Sequence, residues 1–412
     1  MPELLSPAGD LEKLKTAVRY GADAVYFSGK SFGMRAAAKN FDLAEIREGI
    51  EYAHTHGVKA YITVNISPRT HEYAALSEYL KALSEFSPDA LIIGDIGVMA
   101  LARRIAPEIP IHVSTQANVV SAETALSYAA LGAERIVLSR ELSLEEIKAI
   151  RRALPDEVEL ECFVHGAMCV SYSGRCLLSN DLSARDAGHG ACTQPCRWHY
   201  RAERIEAELL EEKRPNEPIP VYEEGGETFF MSSRDLCMIG HIPALIQAGI
   251  SSFKIEGRMK SAYYTAVVTN AYRMAIDACL AGSAVASPAL LSEVESVSHR
   301  DYDTGFFFDS PTEHAKITER DGYLREKAYL ARVVSYDEVS GYALLEQRNK
   351  ISVGDAVELL VPGRVGIPFT VSALADEDGV AIESAPHPRM HFRMKVPVAV
   401  SEGDLLRGGE KI

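Results

Sequence analysis

Gly21–Phe27 (GADAVYF) and Gly132–Ser139 (GAERIVLS) are the two stretches that decide the fold. In both, Gly-Ala ends a helical pattern and a short apolar run of strand type follows at once. Glycine at a helix end readily adopts the left-handed conformation that other residues disfavour. Ala248–Gly257 (AGISSFKIEG) repeats the pattern with a longer turn, so the chain contains a recurring helix–strand unit.

Around these stretches, residues 1–265 alternate between strand-like runs and amphipathic helical patterns. Eight such units predict an α/β fold, a (β/α)8 barrel of the TIM type. A doubly wound open sheet is the alternative, although it would not usually need eight units. The predicted strands are Glu3–Ser6, Ala24–Phe27, Lys59–Val64, Ala90–Ile93, Ile111–Ser114, Arg135–Leu138, Val158–Val164 and Ser252–Ile255.

Two departures from this regularity define the domains. A cysteine-rich insertion at about residues 165–249 follows the seventh strand, where long insertions usually carry function. After a predicted helix over Ser261–Ala281, the pattern becomes short strands between turns. We predict a barrel domain over residues 1–324 and an all-β domain, a small barrel, over 325–412. The strands predicted there are Ala328–Ser335, Ala343–Glu346, Ala356–Leu360, Gly366–Val371, Gly379–Glu383 and Val396–Val400.

The composition limits the classes of function. Of the 412 residues, 47% are hydrophobic and 25% charged, as in an ordinary globular protein. No apolar run reaches the roughly 18–20 residues of a membrane span and no signal peptide is evident, so we expect a cytoplasmic protein with reduced thiols and no membrane partner. The net charge of −15 disfavours a broadly basic nucleic-acid surface. A local basic patch near Arg185, Arg197 and Arg201 would still allow RNA as a partner.

Four of the seven cysteines lie within one short segment of the insertion. Four crowded thiols suit an iron–sulfur cluster or a tetrahedral zinc ion. The absence of paired Cys-x-x-Cys knuckles and the nearby polar barrel mouth favour an iron–sulfur cluster over zinc, although the spacing alone does not decide. Cys237 is an alternative fourth ligand. The four cysteines are Cys169, Cys176, Cys192 and Cys196.

Residues that directly follow the barrel strands should converge on one site. Several of them are arginines or amides, and guanidinium groups match carboxylates, so we expect an anionic substrate. The bland alternative is that they cap helices or form ion pairs at strand ends. The candidate substrate-binding residues are Arg35, Asn65, Gln116, Arg140 and Lys260.

The seventh and eighth strands supply the candidate catalytic residues. Glu161 and His165 lie four positions apart, which puts both on one side of a regular strand. His165 is a candidate acid or base, while an inward Glu161 is either functional or part of a buried Glu–Arg pair. Glu256 and Arg258 follow the eighth strand and complete the catalytic set. Lys254 lies two positions before Glu256, on the same face, and we expect Lys254 to form a structural pair with Glu256.

With these residues in view, the chain resembles peptidase family U32, the collagenase-like proteases, over essentially its whole length. The resemblance rests on ELLSPAGDLEKLKTAVRYGADAVYFSG at the start and on ECFVHGAMCVSYSGRCLLS at Glu161–Ser179. It continues through GACTQPCRW at Gly190–Trp198 and FKIEGRMKSAYY at Phe253–Tyr264. The stretch around Cys169 and Cys176 is the most specific of these.

Within the family, the chain is most similar to the subfamily that hydroxylates tRNA. That resemblance implies 5-hydroxylation of the wobble uridine, a [4Fe–4S] cluster on the four cysteines, prephenate or a similar small dicarboxylate, and tRNA as the macromolecular substrate. It also implies a small C-terminal barrel similar to a translation-factor domain. The competing hypotheses are an endopeptidase, as the family name suggests, and an accessory protein that holds a cluster for a partner. The sequence contains no H-E-x-x-H helix, whereas the letters G-x-S-x-G do occur, at Gly29–Gly33 (GKSFG).

Overall fold

The computed structural model describes residues 1–35, 38–198, 209–211, 214–219, 222–224, 227–229, 233–282, 288–309 and 327–409. The strands described before residue 310 are β1 (Glu3–Pro7), β2 (Ala24–Phe27), β3 (Lys59–Val64), β4 (Ala90–Ile93), β5 (Ile111–Val113), β6 (Arg135–Val137), β7 (Glu159–Ala167), β8 (Leu209–Glu211), β9 (Arg214–Ile219), β10 (Tyr222–Glu224), β11 (Glu227–Phe229), β12 (Asp235–Cys237), β13 (Ser252–Ile255) and β14 (Tyr302–Asp303).

Strands β1 to β7 and β13 form a closed parallel barrel, which confirms the predicted fold class. The barrel closes because β13 pairs with both β1 and β7, so that Phe253 lies opposite Leu4 on one side and Cys162 on the other. The helices are α1 (Leu11–Arg19), α2 (Leu43–Thr55), α3 (Tyr73–Phe86), α4 (Ile96–Ile105), α5 (Ala122–Ala130), α6 (Leu144–Ala153), α7 (Leu178–Ser183), α8 (Ile242–Gln247), α9 (Ala262–Leu280) and α10 (Pro288–Glu295). None of them is long and apolar enough to cross a membrane, among the residues described.

Local sequence signals set where the helices begin and end. Gly21 and Gly132 have φ angles of 94° and 90°, as expected for glycines that end a helix and lead into a strand. Asp42 and Ser143 begin α2 and α6 with capping boxes, in which a glutamate three residues later bonds back to the cap. Strands and helices therefore alternate as the sequence predicts.

The insertion extends the sheet beyond the barrel. Strand β12 pairs antiparallel with the end of β7, where Cys237 lies opposite His165, and β14 pairs with β12. Two short antiparallel pairs, β8 with β9 and β10 with β11, form separate sheets. The insertion thus adds β12 next to the end of β7, outside the eight strands of the barrel.

Residues 327–409 form the predicted all-β domain as an antiparallel half-barrel. Its main sheet has the order β19-β18-β24-β15-β16-β23-β20-β21. The strands are β15 (Tyr329–Asp337), β16 (Tyr342–Gln347), β17 (Ile351–Ser352), β18 (Ala356–Leu360), β19 (Ile367–Thr370), β20 (Leu374–Ala375), β21 (Ala381–Ile382), β22 (Ser384–Ala385), β23 (His391–Lys395) and β24 (Leu405–Gly408).

One strand prediction in this domain is wrong. Val396–Val400 is not a strand, and the chain instead pairs through β23, just before it. Phe392 and Met394 alternate with exposed positions on β23 and supply its buried face. Pro397 lacks the N–H group that a ladder needs, which explains why pairing ends before it.

Buried ion pairs join the two domains. Arg407 on β24 is 1% exposed and binds Glu293 of α10 and Glu358 of β18, at 2.7 and 2.6 Å. Tyr20 at the end of α1 donates a hydrogen bond to the Leu360 carbonyl at 2.9 Å. The half-barrel therefore packs on the outer helices of the barrel domain.

Replacing Arg407 with Met is expected to lower the free energy of unfolding by about 3–5 kcal/mol, because the buried Glu293 carboxylate loses its partner cation. Chemical denaturation measures this change. The control is Arg393→Met, since Arg393 is exposed and donates only to the Glu377 carbonyl; it should change stability by less than about 0.5 kcal/mol. Equal effects of both substitutions would contradict the assignment.

Candidate active site

A cavity of about 90 Å³ lies at the carboxyl ends of the barrel strands, beneath the cysteine-rich insertion. Residues from most of the barrel strands or the loops that follow them meet in its walls, as expected for this end of a barrel. The lining residues are Tyr26, Met34, Arg35, Thr63, Asn65, Ile92, Ser114, Thr115, Gln116, Val137, Arg140, Phe163, Cys169, Tyr172, Ser173, Gly174, Cys176, Ala187, Cys192, Lys254, Glu256 and Arg258.

Arg258 is a buried cation in the cavity wall. Its guanidinium group is 4% exposed and donates hydrogen bonds to the Thr63 hydroxyl at 3.3 Å and to the Met34 carbonyl. Both of these acceptors are neutral oxygens. Burial consequently lowers the pKa of Arg258. A buried guanidinium in this setting is stabilised when a ligand brings a carboxylate to it.

Arg35 and Glu256 form an ion pair in the cavity wall. Their closest N–O distance is 3.4 Å, and Glu256 raises the pKa of Arg35, with smaller contributions from Cys169 and Cys192. Arg35 has a φ angle of 76°, an uncommon conformation for a residue with a side chain. The loop after β2 is thus held in an unusual shape at the cavity wall.

Arg140 connects the barrel to the cysteine segment. It is 8% exposed and donates to the Ala167 carbonyl at 2.8 Å, the Ser173 hydroxyl at 2.7 Å and the Cys169 sulfur at 3.5 Å. Its Nε atom is buried without a hydrogen-bond partner among the described atoms. Arg140 thus supplies positive charge next to a thiol and keeps one donor for a ligand.

Two amides complete the polar wall. The Asn65 side chain accepts from the Met34 N–H at 3.0 Å and donates to Ser114 at 3.3 Å, so it positions the loop after β2. The Gln116 Oε1 atom is buried and lacks a partner in the described part of the chain. An unpaired buried acceptor in a cavity is a candidate ligand contact.

Three of the four cysteines in the segment line this one cavity, namely Cys169, Cys176 and Cys192. The Cys192 sulfur accepts a hydrogen bond from the Gln194 N–H at 3.4 Å. Cys196 is half-buried in a short 3₁₀ turn, Pro195–Arg197, and is not among the lining residues. No three His, Cys, Asp or Glu side chains lie close enough to hold a single metal ion, within the residues described.

A tight turn brings Cys169 and Cys176 to the cavity. The Arg175 N–H bonds to the Tyr172 carbonyl at 3.0 Å, and Gly174 has a φ angle of 78°. A Cβ atom on Gly174 would lie 2.4 Å from the Gln116 Oε1 atom. Glycine is therefore required here, both for the turn and for the close approach to the barrel.

Glu161 lies below the cavity and not in its wall. It is 0% exposed and pairs with Lys254 at 2.7 Å and with Arg135 at 3.2 Å. The bland alternative of a buried Glu–Arg pair thus describes the observed contacts. The Glu161 side chain is linked to the cavity by its ion pair with Lys254, which lines the cavity.

His165 does not share a side of the strand with Glu161, contrary to expectation. The register between β7 and β13 shifts between Lys254 and Ile255, and this irregularity breaks the simple alternation. His165 packs among the rings of Tyr264, Tyr272 and Tyr302, and burial lowers its pKa to about 3. It is therefore uncharged near neutral pH and lies outside the cavity.

Two further predicted site residues lie elsewhere. The Lys260 amino group donates to the Ser298 carbonyl at 2.9 Å and is absent from the cavity wall. Cys237 is buried on β12, where burial raises its thiol pKa to about 11. Neither the position nor the pKa of Cys237 suits a thiolate ligand in this cavity.

Sequence reasoning missed Lys254, Tyr172 and Ser173 as cavity residues. Lys254 was expected to be only a structural pair, because an inward charge on a strand gives no sign of how close it lies to the mouth. Tyr172 and Ser173 lie between Cys169 and Cys176, and that position was the available signal. Tyr172 is 42% exposed, so its ring reaches both the cavity and the solvent.

The insertion is anchored to the loop after β3. His189 bonds to Asp186 at 2.9 Å and to Glu72 at 3.0 Å, and Arg69 pairs with Asp186 at 3.4 Å. The Ser67 N–H donates to the Gly188 carbonyl at 3.0 Å. These contacts hold the segment that carries the cysteines against the barrel.

This anchor predicts a pH dependence. Partial burial opposes protonation of His189, but hydrogen bonds to Glu72 and Asp186 outweigh it and raise its pKa above 6.5. The stabilisation is complete below pH 6.5 and is lost as pH rises through the raised pKa. A hydrogen bond from the Arg69 backbone, followed by one from His189, lowers the pKa of Glu72 below 4.5. The stabilisation that Glu72 contributes is therefore complete above pH 4.5 and is lost as pH falls through the lowered pKa.

Hydrogen exchange of residues 169–196, corrected for intrinsic rates, is therefore expected to be slowest between about pH 5 and 6.5. His189→Gln should remove the faster exchange that appears at higher pH. His54→Gln is the matched control, because His54 forms a similar pair with Asp89 at 2.8 Å on the outside of the barrel. An unchanged pH profile in His189→Gln would refute the anchor.

Comparison with known proteins adds a family context to this geometry. Residues 9–317 match the model of peptidase family U32, and residues 325–407 match that of the peptidase family U32 C-terminal domain. The first match contains every residue of the cavity wall. The second contains most of the half-barrel.

Curated relatives with related names cover nearly the whole chain. The tRNA hydroxylation protein P1 of Bacillus subtilis is 38% identical, over 99% of this chain and 95% of that protein. The tRNA hydroxylation protein P of Escherichia coli is 37% identical, over 96% and 94% respectively. A protein named collagenase from Porphyromonas gingivalis is 29% identical, over 87% of this chain and 86% of that protein. The two proteins named for tRNA hydroxylation are thus more similar than the collagenase.

Proposed function

Because the chain belongs to peptidase family U32, and the relatives that match nearly its whole length at 37–38% identity are named for tRNA hydroxylation, we propose that it modifies tRNA by hydroxylating the wobble uridine at C5. The cavity is the proposed active site. One observation carries the proposal: buried arginines and three thiols line the same cavity at the barrel mouth. That combination suits redox chemistry next to an anionic ligand.

The proposed cofactor is a [4Fe–4S] cluster on Cys169, Cys176, Cys192 and Cys196. A cluster binds each thiolate through a different iron, so its ligands stand further apart than the ligands of one zinc ion. When bound, the cluster would supply electron transfer.

The surroundings of the thiols fit such a group. Arg140 donates to the Cys169 sulfur, and the Gln194 N–H donates to that of Cys192. Hydrogen bonds to sulfur and nearby positive charge stabilise thiolate ligands and tune their redox potential. The protein's contribution is thus to hold the sulfur ligands in place.

The proposed small co-substrate is a dicarboxylate such as prephenate. Arg258 and Arg140 are buried in the cavity, where their hydrogen-bond acceptors are neutral oxygens and a thiol. A carboxylate ligand would bind through the guanidinium forks and add its negative charge to that of Glu256, which also lines the cavity.

The proposed route for tRNA is a base flipped out toward the cavity. Enzymes that react with a base remove it from its stack and often place it on an aromatic side chain. Tyr172 is exposed at the rim, and Arg175 and Arg185 are exposed on the same insertion. Arg201 lies outside the described residues, as does the side chain of Arg197, so only Arg185 of the expected basic patch is seen.

The proposed reaction is an oxidation. Hydroxylation breaks the C5–H bond, forms a C5–OH bond and removes two electrons from the base. With water as the oxygen source, uridine and water give 5-hydroxyuridine, two protons and two electrons, so the reaction needs a two-electron acceptor. The proposed macromolecular partner is tRNA.

The endopeptidase alternative has less support. A cysteine peptidase needs an imidazole next to its thiol. The described cavity wall contains three cysteines and no histidine. His165 is buried among tyrosines with a pKa of about 3, so it does not serve as the base.

Deletion of the gene tests the proposal. Nucleosides from digested tRNA of the deletion strain should lack 5-hydroxyuridine, and the wild-type gene should restore it. The control is a gene carrying Arg393→Met, on the exposed surface of the half-barrel, which should restore it equally. Unchanged 5-hydroxyuridine in the deletion strain, together with a loss of peptide hydrolysis in its extract, would reverse the preference for the first function.

A further inference from the structure

We propose that Lys254 condenses with the carbonyl group of a 2-oxo acid bound in the cavity and forms an imine. The inference rests on the proposed function only in that it concerns the small anionic co-substrate of the same cavity. It gives that co-substrate a chemical class and assigns Lys254 a covalent role.

The position of Lys254 differs from that of an ordinary structural lysine. It is 3% exposed, yet it lines the cavity. Its amino group lies 4.4 Å from the centroid of the Tyr26 ring and 5.5 Å from that of Phe163. A buried amine that reaches a ligand cavity between aromatic rings is sheltered from water and directed at the ligand.

The neighbouring charges suit a lysine that reacts. Glu161 lies 2.7 Å from the Lys254 amino group and has a second partner, Arg135, at 3.2 Å. Glu161 therefore stays neutralised while Lys254 moves or reacts. Burial also lowers the pKa of Lys254, which increases the fraction of free amine.

The arginines select the ligand class. An amine reacts with a carbonyl, and a buried guanidinium recruits a carboxylate, so one molecule that satisfies both carries the two groups together. Arg258 follows Lys254 by four residues and lines the same cavity, as does Arg140. A 2-oxo acid has the carboxylate directly attached to the carbonyl carbon and meets both requirements.

The step balances without an oxidant. Glu161 takes one proton from the ammonium group, and the free amine adds to the carbonyl carbon. A second proton passes from the adduct nitrogen to the former carbonyl oxygen, which becomes a hydroxyl. Glu161 then returns its proton to that hydroxyl, which leaves as water. The C=O bond is replaced by a C=N bond and one water leaves. The product is a protonated imine, so the positive charge next to Glu161 is retained.

Borohydride trapping tests the proposal on the full-length protein. The protein is incubated with 2-oxoglutarate, reduced with sodium borohydride, digested, and mapped by mass spectrometry. The same treatment with 2-hydroxyglutarate is the control, since that acid has no carbonyl at C2. We expect labelling at Lys254 to exceed that at any other lysine by about tenfold or more, because ordinary lysines with a pKa near 10.4 are almost fully protonated at neutral pH.

Variants sharpen the result. Lys254→Arg should keep the ion pair with Glu161 and lose the adduct. Lys327→Arg is the matched control, because Lys327 pairs with Glu358 at 2.6 Å in the half-barrel. In this variant, Lys254 should be labelled to the same extent as in the wild type. The wild-type map needs no variant, so it decides the question even if Lys254→Arg folds poorly.

The outcomes separate this inference from the proposed function. An adduct at Lys254 in a protein whose deletion leaves 5-hydroxyuridine unchanged would uphold the imine and refute tRNA hydroxylation. Normal hydroxylation by Lys254→Arg, or labelling spread evenly over surface lysines, would overturn the imine and leave the proposed function standing.

Discussion

Replacing Cys169 with Ala is expected to remove the bound iron from protein purified without oxygen, and to abolish tRNA hydroxylation. The wild type should be brown and carry about four irons and four sulfides per chain, as a [4Fe–4S] cluster requires. Cys169 lines the cavity and accepts a hydrogen bond from Arg140, so its loss removes a proposed cluster ligand that the barrel holds in place. Iron and acid-labile sulfide assays measure the effect.

Matched cysteine variants make this test specific. Cys176→Ala and Cys192→Ala should behave like Cys169→Ala, since all three thiols line one cavity. Cys279→Ala should keep its iron, because Cys279 lies on α9 and packs against the core. Cys196→Ala should lose iron and Cys237→Ala should keep it, which identifies the fourth ligand. A colourless wild type holding one zinc would contradict the cluster.

Replacing Arg258 with Met is expected to weaken binding of the small acid by about 2–5 kcal/mol, which is a factor of roughly 30 to several thousand. The reason is that Arg258 is 4% exposed and donates its hydrogen bonds to neutral oxygens. A ligand carboxylate is its proposed counter-charge. Hydroxylation in the complemented deletion strain should fall accordingly. Isothermal titration with prephenate measures the loss of binding directly.

Stability separates this effect from simple damage. Methionine has a volume similar to arginine, and removing a buried charge without a carboxylate partner is tolerated far better than breaking a buried pair. Arg258→Met should therefore change the free energy of unfolding by much less than Arg407→Met, which should in turn bind prephenate normally. Weak binding by Arg407→Met, or a global loss of structure in Arg258→Met, would defeat this interpretation.

The strand positions of the barrel were predictable because they depend on local signals. Glycine-ended helices and apolar runs occur within a few residues of each other, so Ala24–Phe27 and Ser252–Ile255 are observed at the predicted bounds. The half-barrel was harder, since its strands are short and pair over long distances. The run Val396–Val400 has the right composition for a strand, but Pro397 and the alternating face of β23 decide against it.

The cavity was partly predictable for the same reason. Arg35, Arg140, Arg258, Asn65 and Gln116 follow barrel strands, and barrel closure brings them together. His165 and Lys260 also follow strands but point elsewhere, because a register shift and a bond to a distant carbonyl redirect them. Such effects depend on pairing and packing, which a single sequence does not show.

The pairing of Lys254 with Glu161 illustrates the remaining gap. The sequence predicts a structural pair of Lys254 with Glu256, two positions along the same strand, whereas the structure pairs Lys254 with Glu161 on the neighbouring strand. Whether that pair lies deep in the barrel or at the cavity floor depends on the height of each strand in the barrel. Only the three-dimensional structure provides that height, and it places Lys254 in the cavity wall.

Photo-crosslinking of tRNA tests whether the wobble base binds at the cavity beneath the cysteine-rich insertion. A tRNA carrying 4-thiouridine at the wobble position is mixed with the protein, irradiated, and the crosslinked peptide is identified by mass spectrometry. The account predicts a crosslink within residues 169–198, with Tyr172 as the main contact, because its exposed ring lies at the cavity rim. Crosslinks only to the half-barrel, over residues 327–409, or none above those of a tRNA without the photoreactive base, would contradict it.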